Sequence, residues 1–256
     1  MDIVLIGAGN VATQLAKTFQ KKNISIRQIY SRTLENAQKL AEEVNSSFTN
    51  NLAEIDRQAD VYFYAVKDIV LEEIIRKINI REGLHIHTAG SIPISVFDGF
   101  AEKYGVFYPL QTFSKTREID FTHIPIFIEG NSLVSEQQIF QLAHLLCDKI
   151  FIASSEQRQL IHLSAVFACN FSNHMFNIAN EIVAQAGFSF EILKPLIDET
   201  VQKLNDMTPF EAQTGPAVRN DENVIQKHLS LLANRPELAN IYKIISEHIS
   251  KTYSKQ

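Results

Sequence analysis

Short apolar runs alternate with amphipathic stretches through the first 153 residues. The runs predict strands at Ile3–Ile6, Ser25–Tyr30, Val61–Val66, His85–Thr88, Gly105–Tyr108, Ile126–Glu129 and Lys149–Ile152. The stretches between them carry apolar residues at helical spacing and predict helices at Val11–Lys22, Leu34–Val44, Ile69–Ile78 and Ser135–Leu146. Strands and helices that alternate in this way imply βαβ units and a largely parallel sheet, its first strand apolar because both faces are covered. The polar, irregular run Leu110–His123 is expected to be a long loop.

Beyond Ile152 the period changes. No proline or glycine occurs from Ser155 to Ala186, and Leu160, Leu163, Phe167, Phe171, Ile178 and Ile182 recur at helical spacing. Ser155 as N-cap and Gly187 as C′ residue bracket one long helix. Further helices are expected at Phe190–Asn205, Glu222–Ala233 and Pro236–Lys251, separated by a turn-rich segment, Thr208–Asp221. The reading is an α/β fold: a doubly wound, mostly parallel Rossmann sheet over 1–153, then an all-helical substrate and dimerisation domain over 154–256.

Composition narrows the class. The chain has 256 residues, 45% of them hydrophobic and 21% charged, with a formal net charge of −5. This is ordinary globular composition, and mild acidity argues against a nucleic-acid binder. No membrane span or signal-peptide pattern is expected. Two cysteines, Cys147 and Cys169, cannot build a disulfide framework, which favours a cytoplasmic protein. The histidines lack carboxylate or cysteine neighbours at ligand spacing, so no metal site is expected.

The chemistry starts at the first βα turn. Gly7-Ala8-Gly9-Asn10-Val11-Ala12 is a G-x-G-x-x-A turn between an apolar strand and an amphipathic helix. In a dinucleotide site Gly7 takes the tight turn, Gly9 lets a diphosphate approach the backbone, and Ala12 lets the helix pack on the strand. The second strand ends in Ser31-Arg32-Thr33. No acid stands there to grip a ribose 2′-hydroxyl, whereas a hydroxyl and a guanidinium suit a 2′-phosphate, so NADP is expected over NAD. Ala65, Val66 and Lys67, with Thr88, Ala89 and Gly90, follow two later strands and should wall the cofactor, while Asp68 is expected to cap the helix that follows it.

On the long helix, regular winding gathers His162, Val166, Asn170, Asn173 and Asn177 on one face, with His174 at its flank. An imidazole can give a proton to the oxygen or nitrogen of a bond whose carbon receives hydride, and an amide can orient the substrate. His162, His174 and Asn170 are therefore candidates. Arg219 offers a fork for a carboxylate or phosphate, and Asp221 can cap the helix beginning at Glu222.

Several segments together resemble a family of NADP oxidoreductases with an N-terminal Rossmann domain and a helical C-terminal domain of unknown function. They are Val4–Ala12, Ile29–Thr33, Ala59–Asp68, His87–Ser91, Tyr108–Ser114, His162–Phe171 and Thr214–Asp221. More distantly the pattern is similar to pyrroline-5-carboxylate reductase, the β-hydroxyacid dehydrogenases, ketopantoate reductase and deazaflavin-dependent NADP reductases. The resemblance implies a long helix beside the active site and a homodimer formed through the C-terminal helices. It also implies that His162, Asn170, Arg219 and Asp221 lie near a small-molecule substrate, with the Tyr108–Ser114 loop bordering the cleft. Three departures stand out. No lysine occurs from Ser155 to Ile192, so the proton donor of the β-hydroxyacid dehydrogenases is absent; Ala89 replaces an expected serine, and Asn220 an expected glycine. The expected activity is NADP(H)-dependent reduction of a small carbonyl or imine; the alternative is a non-catalytic NADP(H) sensor or partner module.

Overall fold

The computed structural model describes residues 1–254. Its strands are β1 (Asp2–Ile6), β2 (Ser25–Tyr30), β3 (Ser47–Thr49), β4 (Val61–Tyr64), β5 (Leu84–His87), β6 (Lys103–Pro109), β7 (Ile126–Gly130) and β8 (Ile150–Ile152). Helices α1 (Asn10–Lys21), α2 (Leu34–Val44), α3 (Asp68–Ile78) and α4 (Leu133–His144) lie between them. Then come α5 (Ser155–Ala165), a π-helical turn at Val166–Phe171, α6 (Ser172–Gln185), α7 (Lys194–Gln202), α8 (Glu222–Leu231) and α9 (Pro236–Tyr253).

The eight strands form one sheet in the order β3-β2-β1-β4-β5-β6-β7-β8. The first six are parallel neighbours, β7 runs antiparallel to β6, and β8 is parallel to β7. The order 3-2-1-4-5-6 is that of a dinucleotide-binding Rossmann sheet, whose strand order reverses between β1 and β4 and leaves a ligand crevice there.

Alternation along the central strands builds two core layers. Ile3 and Leu5 of β1 join Leu15 and Phe19 of α1, Leu40 of α2, Phe63 and Phe107 on one face. Val4 and Ile6 join Tyr62, Tyr64, Phe97 and the α3 residues Leu71, Ile75 and Ile78 on the other. Each fully buried large apolar side chain contributes about 1.5–3 kcal/mol, so these layers carry the stability of the sheet.

By compactness the chain divides into Met1–Met175 and Phe176–Gln256, a boundary that falls inside α6. The first unit is the sheet, its helices, α5 and the π-turn. The second is helical, and among its described residues only Ala217 and Ser246 are buried. Its local order comes from Asp221, whose carboxylate caps α8 by accepting from the Val224 amide at 3.2 Å. His228 and Tyr242 share a 2.8 Å hydrogen bond, Arg235 pairs with Glu181, and Phe210 stacks on Tyr253. Asn220 has a φ of +52°, the conformation for which glycine was expected. A short polar side chain tolerates it.

Three local expectations are corrected. Ser154, not Ser155, caps α5: its hydroxyl accepts from the Gln157 amide and the Gln157 side chain reaches back, a capping box. Lys67 is the N-cap of α3, and the Asp68 carboxylate takes the Ser91 hydroxyl instead. The long helix contains a wide turn where regular winding was expected.

Candidate functional site

The glycine turn sits at the strand-order reversal. Gly7 has a φ of +129°, and a Cβ there would come within 2.2 Å of the Ala65 carbonyl oxygen and 3.3 Å of Val66. The β1 and β4 turns are therefore packed back to back, and Gly7 is required by the protein itself. Gly9 differs: its φ of −82° suits any residue, and no atom lies within 4 Å of a Cβ built there. No packing demand explains that glycine, whereas a ligand lying against the backbone does. Helix α1 begins at this point with no side-chain cap and no acid in its first turn. Its free N–H groups and dipole form an anion site beside the Ala8, Gly9, Asn10 and Val11 backbone. The Asn10 side chain is spent on the Phe113 carbonyl at 2.9 Å, and Gln14 donates to the carbonyls of Ser114 and Arg117. These bonds moor the Leu110–His123 loop to α1.

At the tip of β2, Arg32 and Thr33 are exposed and Ser31 is half-buried. Among the described residues none of the three makes a side-chain hydrogen bond or ion pair. Thr33 is the N-cap of α2 without a side-chain cap bond. The donor set fits a 2′-phosphate: a guanidinium with no competing carboxylate, beside two hydroxyls.

The β5 turn is organised from below. His87 is fully buried, and its Nδ1 accepts from the Ala89 amide at 3.2 Å. Burial, reinforced by the nearby Arg158 charge, lowers its pKa to about 3, so the ring is neutral. The Thr88 amide and hydroxyl both turn back to the Tyr64 carbonyl, at 3.2 and 3.4 Å. Polar groups of Thr88 and Ala89 are thus committed inward, and what this turn leaves for a ligand is its small outer surface. Lys67, at the next turn, is exposed.

His162 completes this unit. A Cβ on Gly90 would lie 2.7 Å from both Cγ and Nδ1 of His162, so the imidazole rests directly on the glycine. Its Nδ1 is 2.9 Å from the Tyr108 hydroxyl, and Nε2 has no hydrogen bond among the described residues. One helical turn earlier, Arg158 fixes the start of α5. It is fully buried, paired with Glu129 of β7, and donates to the Ile92 carbonyl at 2.6 Å. Glu129 also accepts from the Ser155 amide at 3.0 Å and hydroxyl at 2.8 Å, and the Gln159 side chain donates to the Ser91 carbonyl at 3.0 Å. These bonds clamp the helix to the sheet and to the 91–94 loop, which is why His162 meets Gly90. Glu129 and Arg158 were not among the residues singled out in the sequence, and Tyr108 entered only as the first residue of the Tyr108–Ser114 loop. The available signal was Arg158 itself, a cation near a helix N-terminus, the end that disfavours positive charge unless it is paired.

The π-turn changes which helix residues align. With regular winding Asn170 and His174 would stand about 80° and 120° around the axis from His162; one extra residue in a turn brings both to within about 20° of it. Asn173, expected on the same face, swings to about 80° from it, Val166 before the turn keeps its place, and His174 moves from the flank into the row. The Ser172 hydroxyl donates to the Phe167 carbonyl, 3.4 Å away and five residues back, across the widened turn. Asn170 and His174 are exposed and make no side-chain hydrogen bonds among the described residues. Arg219 and Asp221 lie in the second unit, Arg219 exposed and Asp221 capping α8. No group of three or more potential metal ligands occurs among the described residues, and no described helix is long and apolar enough to cross a membrane.

Residues 2–90 match a family model described as NADP oxidoreductase, coenzyme F420-dependent, and residues 124–249 match a domain of unknown function, DUF2520. A Bacteroides fragilis protein provisionally named an NADP oxidoreductase is 46% identical over 98% of each chain, with a TM-score of 0.94. The chain belongs to this NADP oxidoreductase family. The cofactor of an NADP oxidoreductase agrees with the Gly9 opening and the unpaired Arg32. Lower identities show a shared fold. A Myxococcus stipitatus imine reductase in complex with NADP+ is 13% identical with a TM-score of 0.65, covering 100% of this chain and 93% of its own. A 1-pyrroline-5-carboxylate reductase from Streptococcus pyogenes is 14% identical with a TM-score of 0.62, covering 98% of each. No curated protein matches the chain.

Proposed function

We propose that this NADP oxidoreductase reduces a small carbonyl or imine compound, with His162 as the proton donor. The observation that carries the reading is the seating of His162: its imidazole is held on Gly90 by Tyr108 and by the Arg158 clamp, with Nε2 unspent. When bound, NADPH supplies the hydride. The anion site at α1 would hold the diphosphate and Arg32 the 2′-phosphate. The His162 imidazolium gives its Nε2 proton to the oxygen or nitrogen as the carbon accepts the hydride, while Tyr108 Oη, 2.9 Å from Nδ1, keeps the ring in place. The change is one C=O or C=N reduced by two electrons, with one proton taken from the ring and later restored by solvent. The imine reductase and pyrroline-5-carboxylate reductase among the structural neighbours support this class of substrate. Asn170, which the resemblance also implies near the substrate, would orient it.

The test is NADPH binding followed by NADPH consumption with 2-keto acids, cyclic imines and an oxidised deazaflavin. Turnover that His162→Gln abolishes and His174→Gln leaves intact supports the assignment. Binding without turnover across the panel would favour a sensor or partner module.

The helical unit supports a homodimer. Leu231 is 82% exposed, Leu196 65%, Val201 60% and Phe188 59%, in a unit that buries two described residues. A segment of that length cannot hold its helices on so small a core, and a second copy would supply the missing contacts. Sedimentation equilibrium should give twice the mass of the chain.

A further inference from the structure

Tyr108 lies near the end of β6 and is buried, with its ring edge-on to that of His162 at a centroid distance of 5.9 Å. Its hydroxyl makes one hydrogen bond among the described residues, the 2.9 Å contact to His162 Nδ1. A buried phenol that accepted from Nδ1–H would leave its own O–H without an acceptor, which is costly. Among the described residues the hydroxyl hydrogen has one acceptor within hydrogen-bond distance, the Nδ1 lone pair. Burial raises the Tyr108 pKa above its ordinary value, against a smaller opposing effect of Arg158, so the donor stays protonated. A neutral imidazole that accepts at Nδ1 carries its hydrogen on Nε2.

We propose that Tyr108 is a positioning residue that holds neutral His162 in its Nε2–H form, so that the site presents an N–H donor to the group being reduced. Because the imidazolium also carries Nε2–H, both forms offer the same face to the substrate. That face suits an acceptor atom, a carbonyl oxygen or a neutral imine nitrogen. An iminium, whose nitrogen carries no lone pair, is the wrong partner. A bare Nε2, needed to abstract a proton in the oxidative direction, is the disfavoured form. This inference rests on the reading of His162 as the group beside the substrate.

The experiment is 15N NMR of the full chain labelled at its histidine rings, recorded at alkaline pH, with His162→Asn used to assign the His162 signals. The expected wild-type spectrum has a protonated, pyrrole-type Nε2 and a pyridine-type Nδ1 displaced by the accepted hydrogen bond. In Tyr108→Phe the Nδ1 signal should move toward the free pyridine-type position, and the Nδ1–H form should gain several-fold in population. A protonated Nδ1 in the wild type overturns the proposal, and so does a Tyr108→Phe spectrum superimposable on it. If the variant folds poorly, the wild-type spectrum alone decides. NADPH titration of the same samples separates the two readings: failure to bind overturns the reductase assignment while leaving the tautomer result standing.

Discussion

Gly90→Ala tests the seating of His162 without knowledge of the substrate. The backbone at Gly90 is not in the left-handed region, so alanine brings no conformational strain; its methyl group alone is at issue. That methyl would meet His162 Cγ and Nδ1 at 2.7 Å and Cβ at 2.9 Å. To reach ordinary van der Waals separation the imidazole must retreat by about 1 Å, which breaks its bond to Tyr108. Overpacking of this kind costs about 1–3 kcal/mol. A double-mutant cycle isolates it. His162→Gly removes all three atoms, and its own helix cost cancels in the comparison. The coupling should be about 1–3 kcal/mol, a melting-temperature difference of roughly 2–4 °C per kcal/mol in a chain of this length. Thermal and urea unfolding of the four proteins supply the numbers. Once a substrate is known, turnover by Gly90→Ala should fall about 10²-fold, the cost of a 1 Å misplacement. If Gly90→Ala costs the same with and without the imidazole, His162 does not sit where the argument requires.

Arg32→Ala should weaken NADPH binding by about 1.5–3 kcal/mol, roughly 10- to 150-fold, and leave NADH within about twofold; equal loss of both in calorimetry would remove the 2′-phosphate assignment. Gly9→Ala should keep the wild-type melting temperature and lose at least about tenfold in NADPH affinity, since its methyl occupies ligand space only, whereas Gly7→Ala should destabilise the chain by about 1–3 kcal/mol or more through positive φ and backbone overlap; a Gly9→Ala protein that binds normally would sink the diphosphate reading. Acid stability follows from His87 and His85, whose folded pKa values are lowered by burial to about 3 and about 4. Because the unfolded chain takes up these protons from about pH 6.5 downward and the folded chain does not, stability is full above that pH and declines toward pH 4 by about 1.4 kcal/mol per pH unit for each histidine. His87→Gln should remove one such contribution from the slope of unfolding free energy against pH, and an unchanged slope would contradict the neutral, buried ring.

Periodicity made most of the sheet and its helices legible, because strands buried on both faces and helices with one apolar stripe leave strong local patterns. β3 was not legible. Ser47-Phe48-Thr49 is three residues long at the sheet edge, with Phe48 half out of the core, too short to show a period. The glycine turn could be read because one residue type at each position carries one backbone demand. The clamp could not: Glu129 and Arg158 are separated by 29 residues and Tyr108 and His162 by 54, and no local pattern links them. The cap of α5 was readable in principle, since glutamine stands three residues after Ser154 and arginine three after Ser155. Which helix residues share a face was misjudged for a different reason. Angular arithmetic assumes uniform winding, and the π-turn departs from it.

That turn makes the number of residues between Val166 and Phe171 part of the site's information. A relative shorter by one position there could keep every side chain of the row and still wind as an unbroken helix, yet Asn170 and His174 would face different directions from His162. Counting identical residues between two such proteins would overstate their kinship in chemistry, and a one-residue gap in this hexapeptide is a more telling difference than many substitutions elsewhere.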